Sequence, residues 1–214
     1  WKRKKGKRKG RTQGLTADGK MLVRGDVRGQ IRGYTLDKYK MKWLVKGDRV
    51  AVSRDGKVAA CVKGSRVQLR DAVTGRDLSG SWSTDGAILA LAGRSTDSWA
   101  TLSRCGADCG ARPVARRPPV VGRCLLRLSE GPSLQLPCPR RASLAWSPDG
   151  RWLAVSGTKA AHLLRVGPKR LRPVKTHRAT TGRGRARVVF LSDHRYAVAN
   201  IAAGWVHVYR LLKR

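Results

Sequence analysis

Four of the five cysteines, Cys105, Cys109, Cys124 and Cys138, fall in one stretch of the chain, and thiolates are the first side chains here whose chemistry invites a function. Four sulfurs suit a tetrahedral zinc ion, but structural zinc sites bring their cysteines in short C-x2-C knuckles, whereas here CGADC is followed by two isolated residues. Zinc, a disulfide pair and unpaired structural thiols all stay open, and the spacing favours the thiols. Cys61 stands in an apolar run and reads as a small core residue. Acid–base pairs are scarcer still. Glu130 is the single glutamate beside twelve aspartates, several of them in turns where they shape backbone, so no carboxylate pair is available for glycosidase-like work. Ser192-Asp193-His194 holds the residue types of a triad, yet adjacency is not triad geometry, and a hairpin turn accounts for all three. His162 and His207 alternate within strand-like runs. GRGRAR at 182–187 lacks the Lys-Ser/Thr pair of a phosphate-gripping loop. The expectation is a chain that is not an enzyme and uses no metal and no cofactor.

The remaining chemistry is charge. Lys and Arg number 47 against 13 acids, a formal net charge of +34. Eight of these cations, Lys2, Arg3, Lys4, Lys5, Lys7, Arg8, Lys9 and Arg11, form an N-terminal run punctuated by glycine, which predicts an extended arm over residues 1–13 that waits for a polyanion. The other 39 still face all 13 acids, and a compact body with that surplus repels itself unless something anionic neutralises it. Two further clusters stand out. Arg112, Arg116 and Arg117 lie in ARPVARRPP. Lys169, Arg170, Arg172, Lys175, Arg178, Arg183, Arg185 and Arg187 lie in 168–187, which reads as a basic loop between structural units. Such cations grip phosphates by charge, and arginine can bridge two phosphate oxygens. Sequence-specific readout of single-stranded RNA would need exposed aromatic platforms; Trp82, Trp146, Trp152 and Trp205 sit beside turns or in strands and read as core instead, while Trp43 and Trp99 are harder to place.

The elements that must hold these residues repeat. LTADGKMLVRG (15–25), VSRDGKVAACV (52–62), WSTDGAILALA (82–92), WSPDGRWLAVS (146–156) and a degenerate FLSDHRYAVAN (190–200) each set an Asp turn between strand-forming residues. Second strands follow at 29–36, 65–78, 160–166 and 204–211. In VQLRD, Val67 and Leu69 point one way and Gln68 and Arg70 the other, a period of two. The stretch 103–141, rich in Pro, Gly, Arg and Cys and holding one strand-like run, RCLLRL (123–128), reads as a long loop inserted in the third unit. The chain predicts no membrane-spanning helix and no signal-peptide core, and it opens on Trp1, as a processed product or fragment does.

Turn-strand units ending in VQLRDAVTGRDL resemble the WD-repeat β-propeller family, in which the strand commonly ends in Trp-Asp before a Thr-Gly turn. Asp71, Thr74 and Gly75 match, Arg70 replaces the Trp, and Tyr34 and Tyr209 hold the aromatic position in other copies. The Gly-His dipeptide of that family is absent, Thr176-His177 being its nearest approach. The resemblance covers most of 14–214 and implies an all-β, propeller-like fold of about five degenerate four-stranded units, open or incomplete, on a basic arm. Charge and fold together predict a scaffold of a ribonucleoprotein, a ribosome or an assembly particle, that docks on RNA phosphates and neighbouring proteins. The alternative partners are an acidic protein or an anionic membrane surface. The KRKK cluster and the lack of evident cysteine pairing predict an intracellular, reducing site, nucleus, nucleolus or an organelle such as the mitochondrion.

Overall fold

The computed structural model describes residues 12–16, 18–26, 28–105, 122–129, 131–158, 160–178, 186–200 and 204–211. Every regular element among them is a strand, nineteen in all, grouped into five antiparallel sheets. The first sheet holds β1 (Thr12–Leu15), β2 (Met21–Gly25), β3 (Gln30–Thr35) and β4 (Met41–Lys46). The second holds β5 (Arg49–Val52), β6 (Val58–Lys63), β7 (Arg66–Asp71) and the two-residue β8 (Trp82–Ser83). The third is built from β9 (Ile88–Gly93), β10 (Trp99–Arg104), β11 (Arg123–Leu128) and β12 (Ser133–Pro137). The fourth contains β13 (Ser143–Trp146), β14 (Trp152–Ser156), β15 (Ala160–Val166) and β16 (Leu171–Arg178), and the fifth β17 (Ala186–Ser192), β18 (Arg195–Asn200) and β19 (Trp205–Arg210). Within each sheet the strands lie side by side in chain order, so every connection is a hairpin. This is the β-propeller-like architecture that the repeats imply.

The chain divides into two compact units, one formed by residues 1–84 with 95–97, the other by 85–94 with 98–214. In the first, the first two sheets bury one core of Met21, Val23, Ile31, Trp43, Val50, Ala59, Cys61 and Ala72. In the second, the fourth sheet is covered on both faces. Leu153, Val155 and Leu164 pack with the third sheet and Ala154, Ala161 and Leu163 with the fifth. Two-sided burial explains why LAVS in β14 is a continuous buried run with no polar face.

The repeated turns owe their recurrence to one hydrogen-bond device. Thr16 Oγ1, Ser53 Oγ and Ser147 Oγ donate to Asp18, Asp55 and Asp149 at 2.6, 2.5 and 2.6 Å. The same three hydroxyls accept the amides of Met21, Val58 and Trp152 at 3.0, 3.0 and 2.9 Å. The following glycines, Gly19, Gly56 and Gly150, take φ of 67, 71 and 70°, which a side chain resists. In the third copy Thr84, the residue after the aligned Ser83, donates to Ser65 O through its amide and its hydroxyl, and Gly86 meets the Arg104 carbonyl so closely that a Cβ there would stand 2.1 Å from its oxygen. In the fifth, Ser192 Oγ accepts the amide of His194.

Several expectations need correction. β1 begins at Thr12, two residues inside the segment assigned to the arm. The stretch 103–141 holds more than the strand-like run at 123–128, which is β11: β12 pairs with it to complete the third sheet, with Cys124, Leu126, Leu128 and Leu136 buried. The fifth sheet has three strands rather than four among the described residues. Cys105, Cys124 and Cys138 are not unpaired thiols, and Cys109 lies outside the described residues. Cys124 and Cys138 form a disulfide that staples β11 to the end of β12, and Cys105 is also disulfide-bonded. The expectation of a reducing compartment loses its cysteine premise with them. Cys61 is free and buried, and its thiol is pushed up to about 12 by burial, which keeps it inert. Replacing Cys124 and Cys138 together by serine should cost about 3 kcal/mol, the value for a closed loop of about this length; urea unfolding with and without reductant measures it, and coincident midpoints for the native chain would refute it.

Candidate functional site

The strongest concentration of unbalanced charge among the described residues lies on β16 and the turn before it. No acid occurs between Asp149 and Asp193 in the sequence, while Lys169, Arg170, Arg172, Lys175, Arg178 and Arg187 all fall in that interval and all are exposed. The ion pairs found among the described residues, Arg32–Asp26, Arg70–Asp77 and Arg151–Asp149, involve none of them. The segment expected to be a loop is therefore largely strand. Lys169 and Arg170 occupy the β15–β16 turn, Arg172, Lys175 and Arg178 lie on β16, and Arg187 lies on β17. The strand escaped sequence reading because β16 is the terminal strand of its sheet and buries only Leu171 and His177, so it shows no period of two. Lys2, Arg3, Lys4, Lys5, Lys7, Arg8, Lys9, Arg11, Arg112, Arg116, Arg117, Arg183 and Arg185 lie outside the described residues.

A bulge arranges the cations. Lys175 pairs with Leu163 and Pro173 with Leu164, so Val174 is the extra residue. Before the bulge Arg172 sits opposite Arg165, and after it His177 sits opposite Ala161; Arg172, Lys175 and His177 therefore share the face of Leu163, whereas Arg178 shares the face of His162. Without the bulge Arg172 would stand on the side of Arg178. The strand thus presents positive charge on both faces along about 20 Å of edge, at a strand's rise per residue.

One face is anchored by aromatics that sequence reasoning did not connect. His177 Nε2 and the Tyr196 hydroxyl share a hydrogen bond of 2.9 Å, the His177 ring lies 4.5 Å from that of Tyr209, and Tyr196 and Tyr209 stack at 5.2 Å. Lys175 Nζ stands 4.8 Å from the centroid of Tyr209, a cation–π contact that fixes its direction. The only signals in the sequence were Tyr209 at the family's aromatic position and Thr176-His177. Burial, reinforced by the charge of Lys175, holds His177 below its ordinary value, and burial with Tyr209 pushes Tyr196 up to about 12, so both are neutral at pH 7. The unfolded chain therefore takes up the His177 proton first on acidification. Stability should fall as pH drops below about 6.5, the ordinary histidine value, and level off below the folded value; half-buried His162, lowered by burial, acts in the same sense. Thermal midpoints read between pH 7.5 and 5.5 should fall, and His177→Gln should flatten that fall; an unchanged slope in the variant would contradict the assignment.

The other sequence candidates are structural. Asp71 accepts from the amides of Val73 and Thr74 and from Thr74 Oγ1, and Arg70, in place of the family's Trp, pairs with Asp77 at 2.6 Å. Trp43 donates to Ala72 O at 3.2 Å with Gly33 and Gly75 against its ring, and Trp146 donates to Ala92 O at 3.1 Å. Ser192, Asp193 and His194 occupy the β17–β18 junction, with Ser192 serving the backbone rather than His194's ring.

No protein-family model matches the sequence, and no curated protein matches it significantly. Among solved structures 990 chains match, so the fold is a common one and does not select a function. The β-propeller domain of Cps50 (Swd1) from Myceliophteria thermophila matches with a TM-score of 0.52 and 13% identity over 94% of this chain and 83% of that one. At that identity the likeness establishes one thing, that this chain has a β-propeller fold.

Proposed function

We propose that the chain is a non-catalytic propeller scaffold of a ribonucleoprotein, a ribosome or assembly particle, and that it holds structured RNA by its phosphates. The observation that carries this reading is β16, a terminal strand whose cations stand on both faces with no carboxylate partner among the described residues. Lysine and arginine on a terminal strand also deter edge-to-edge aggregation, but that task does not require the five cations within residues 169–178 or an acid-free interval from 150 to 192. Phosphate contacts position a nucleic acid without reading its bases, which suits a strand bearing cations and no exposed aromatic platform. The basic arm and the Arg112, Arg116 and Arg117 cluster add cations of the same kind in the sequence. The placement in nucleus, nucleolus or organelle rests on the basic arm alone.

Binding to a folded RNA, titrated between 50 and 300 mM monovalent salt, tests the proposal. The log–log slope should be steep, about 0.7 to 0.9 for each phosphate neutralised. A slope near zero, or equal affinity for an acidic polypeptide of matched charge, would reject it.

A further inference from the structure

Four of the five sheets end on a fourth strand, and the fifth stops at its third among the described residues. β19 pairs with β18 through six partners from Arg195↔Arg210 to Asn200↔Trp205 without a register shift, and no described strand pairs along its other side. The two terminal strands of neighbouring sheets are protected very differently. β16 carries Pro173, a bulge and a row of cations, the devices that keep an edge from pairing. β19 is WVHVYR, without proline, lysine or bulge, and rich in residues suited to strands.

The face beside that edge is apolar. Register places Val189, Ala197 and Val208 in one row and Arg187, Ala199 and Val206 in the next, with Arg195 opposite Arg210. Val206 and Val208 are 63% and 59% exposed, and Val189 and Leu191 are also exposed. Arg187, Arg195 and Arg210 supply the charge of this face. The strand edge is thus a backbone ladder bordered by valines and arginines.

We propose that β19 is a docking edge that accepts an extended segment of an acidic partner protein as the fourth strand of the fifth sheet. The segment pairs its backbone with β19, lays alternate apolar side chains beside Val206 and Val208, and brings Asp or Glu to Arg195 and Arg210. Charge complementarity selects this occupant over a second copy, because two chains of +34 repel each other. The inference does not depend on the RNA reading, since nucleic acid offers no amide ladder and β16 is a separate edge.

A fluorescent peptide, acetyl-Glu-Val-Thr-Val-Thr-Val-Glu-amide, probes the edge on the full chain. Two copies N-methylated at alternate amides, one in each phase, test the ladder, and a copy with Lys in place of both Glu tests the charge. The unmodified peptide should bind and slow hydrogen exchange at β19. The N-methylated copy whose methyls fall on the pairing side and the Lys copy should each bind at least tenfold more weakly. The V206K/V208K chain, altered only at exposed positions, should also lose at least tenfold despite its two added positive charges, with unchanged thermal unfolding and RNA affinity. Absence of binding, equal binding of the unmodified and both methylated peptides, equal binding of the Lys copy, or self-association abolished by V208K would overturn the proposal.

Discussion

Replacing Lys169, Arg170, Arg172, Lys175 and Arg178 together by glutamine should weaken binding to folded RNA on the order of a thousandfold near 0.1 M salt and lower the salt slope by about 4, if each cation meets one phosphate. The expectation follows from geometry as well as charge. The bulge at Val174 brings Arg172 to the face of Lys175 while Arg178 stands on the other, and the ring of Tyr209 holds Lys175. Net charge alone makes a different forecast. A control that removes as many exposed cations elsewhere, Lys20, Arg28, Lys38, Lys40 and Lys42 to glutamine, changes the total charge equally. Its affinity should fall by less than tenfold. Electrophoretic mobility or fluorescence titration with one RNA at four salt concentrations separates the two, and equal losses would show that the chain binds through diffuse charge rather than through β16.

Trp99→Ala should be the most damaging single change, costing about 3 to 5 kcal/mol, a large share of the 5 to 15 kcal/mol that holds typical domains together. Trp99 on β10 is 1% exposed, the largest of the fully buried side chains. Its amide donates to Ser129 Oγ at 3.0 Å and its carbonyl accepts the Ser129 amide at 2.8 Å, so the backbone beneath the indole is held on two sides. Opposite it, Gly93 leaves the space the ring occupies, where a Cβ would come within 2.6 Å of the indole. Truncation leaves a cavity that a paired backbone cannot collapse to fill. Gly93→Ala should destabilise the same site by overpacking, about 1 to 3 kcal/mol. Urea midpoints test both, and a Trp99→Ala loss under 1 kcal/mol would show that the site relaxes freely.

Local chemistry made much of this fold legible. Ser-x-Asp-Gly turns announce themselves because hydroxyl, carboxylate and glycine act within five residues, as at Ser53, Asp55 and Gly56 and again at Ser147, Asp149 and Gly150. Strands such as β7 show their period because one face is buried and the other is not. Terminal strands lack that contrast. β12 and β16, flanked or interrupted by proline, passed for loop, and with β16 went the true setting of the basic cluster.

By itself, then, the order of residues determined the turns, the alternating strands, the five-fold repetition and the surplus of positive charge, since each depends on neighbours a few positions apart or on composition. Only the tertiary structure decided that Cys124 meets Cys138, that His177 meets Tyr196 and Tyr209, and that Trp99 lies on Gly93. The same is true of the bulge that sets Arg172 on the face of Lys175 and of the edge of β19 that no described strand pairs. These depend on register and on which sheet covers which, and such pairings arise from the packing of segments distant in the chain.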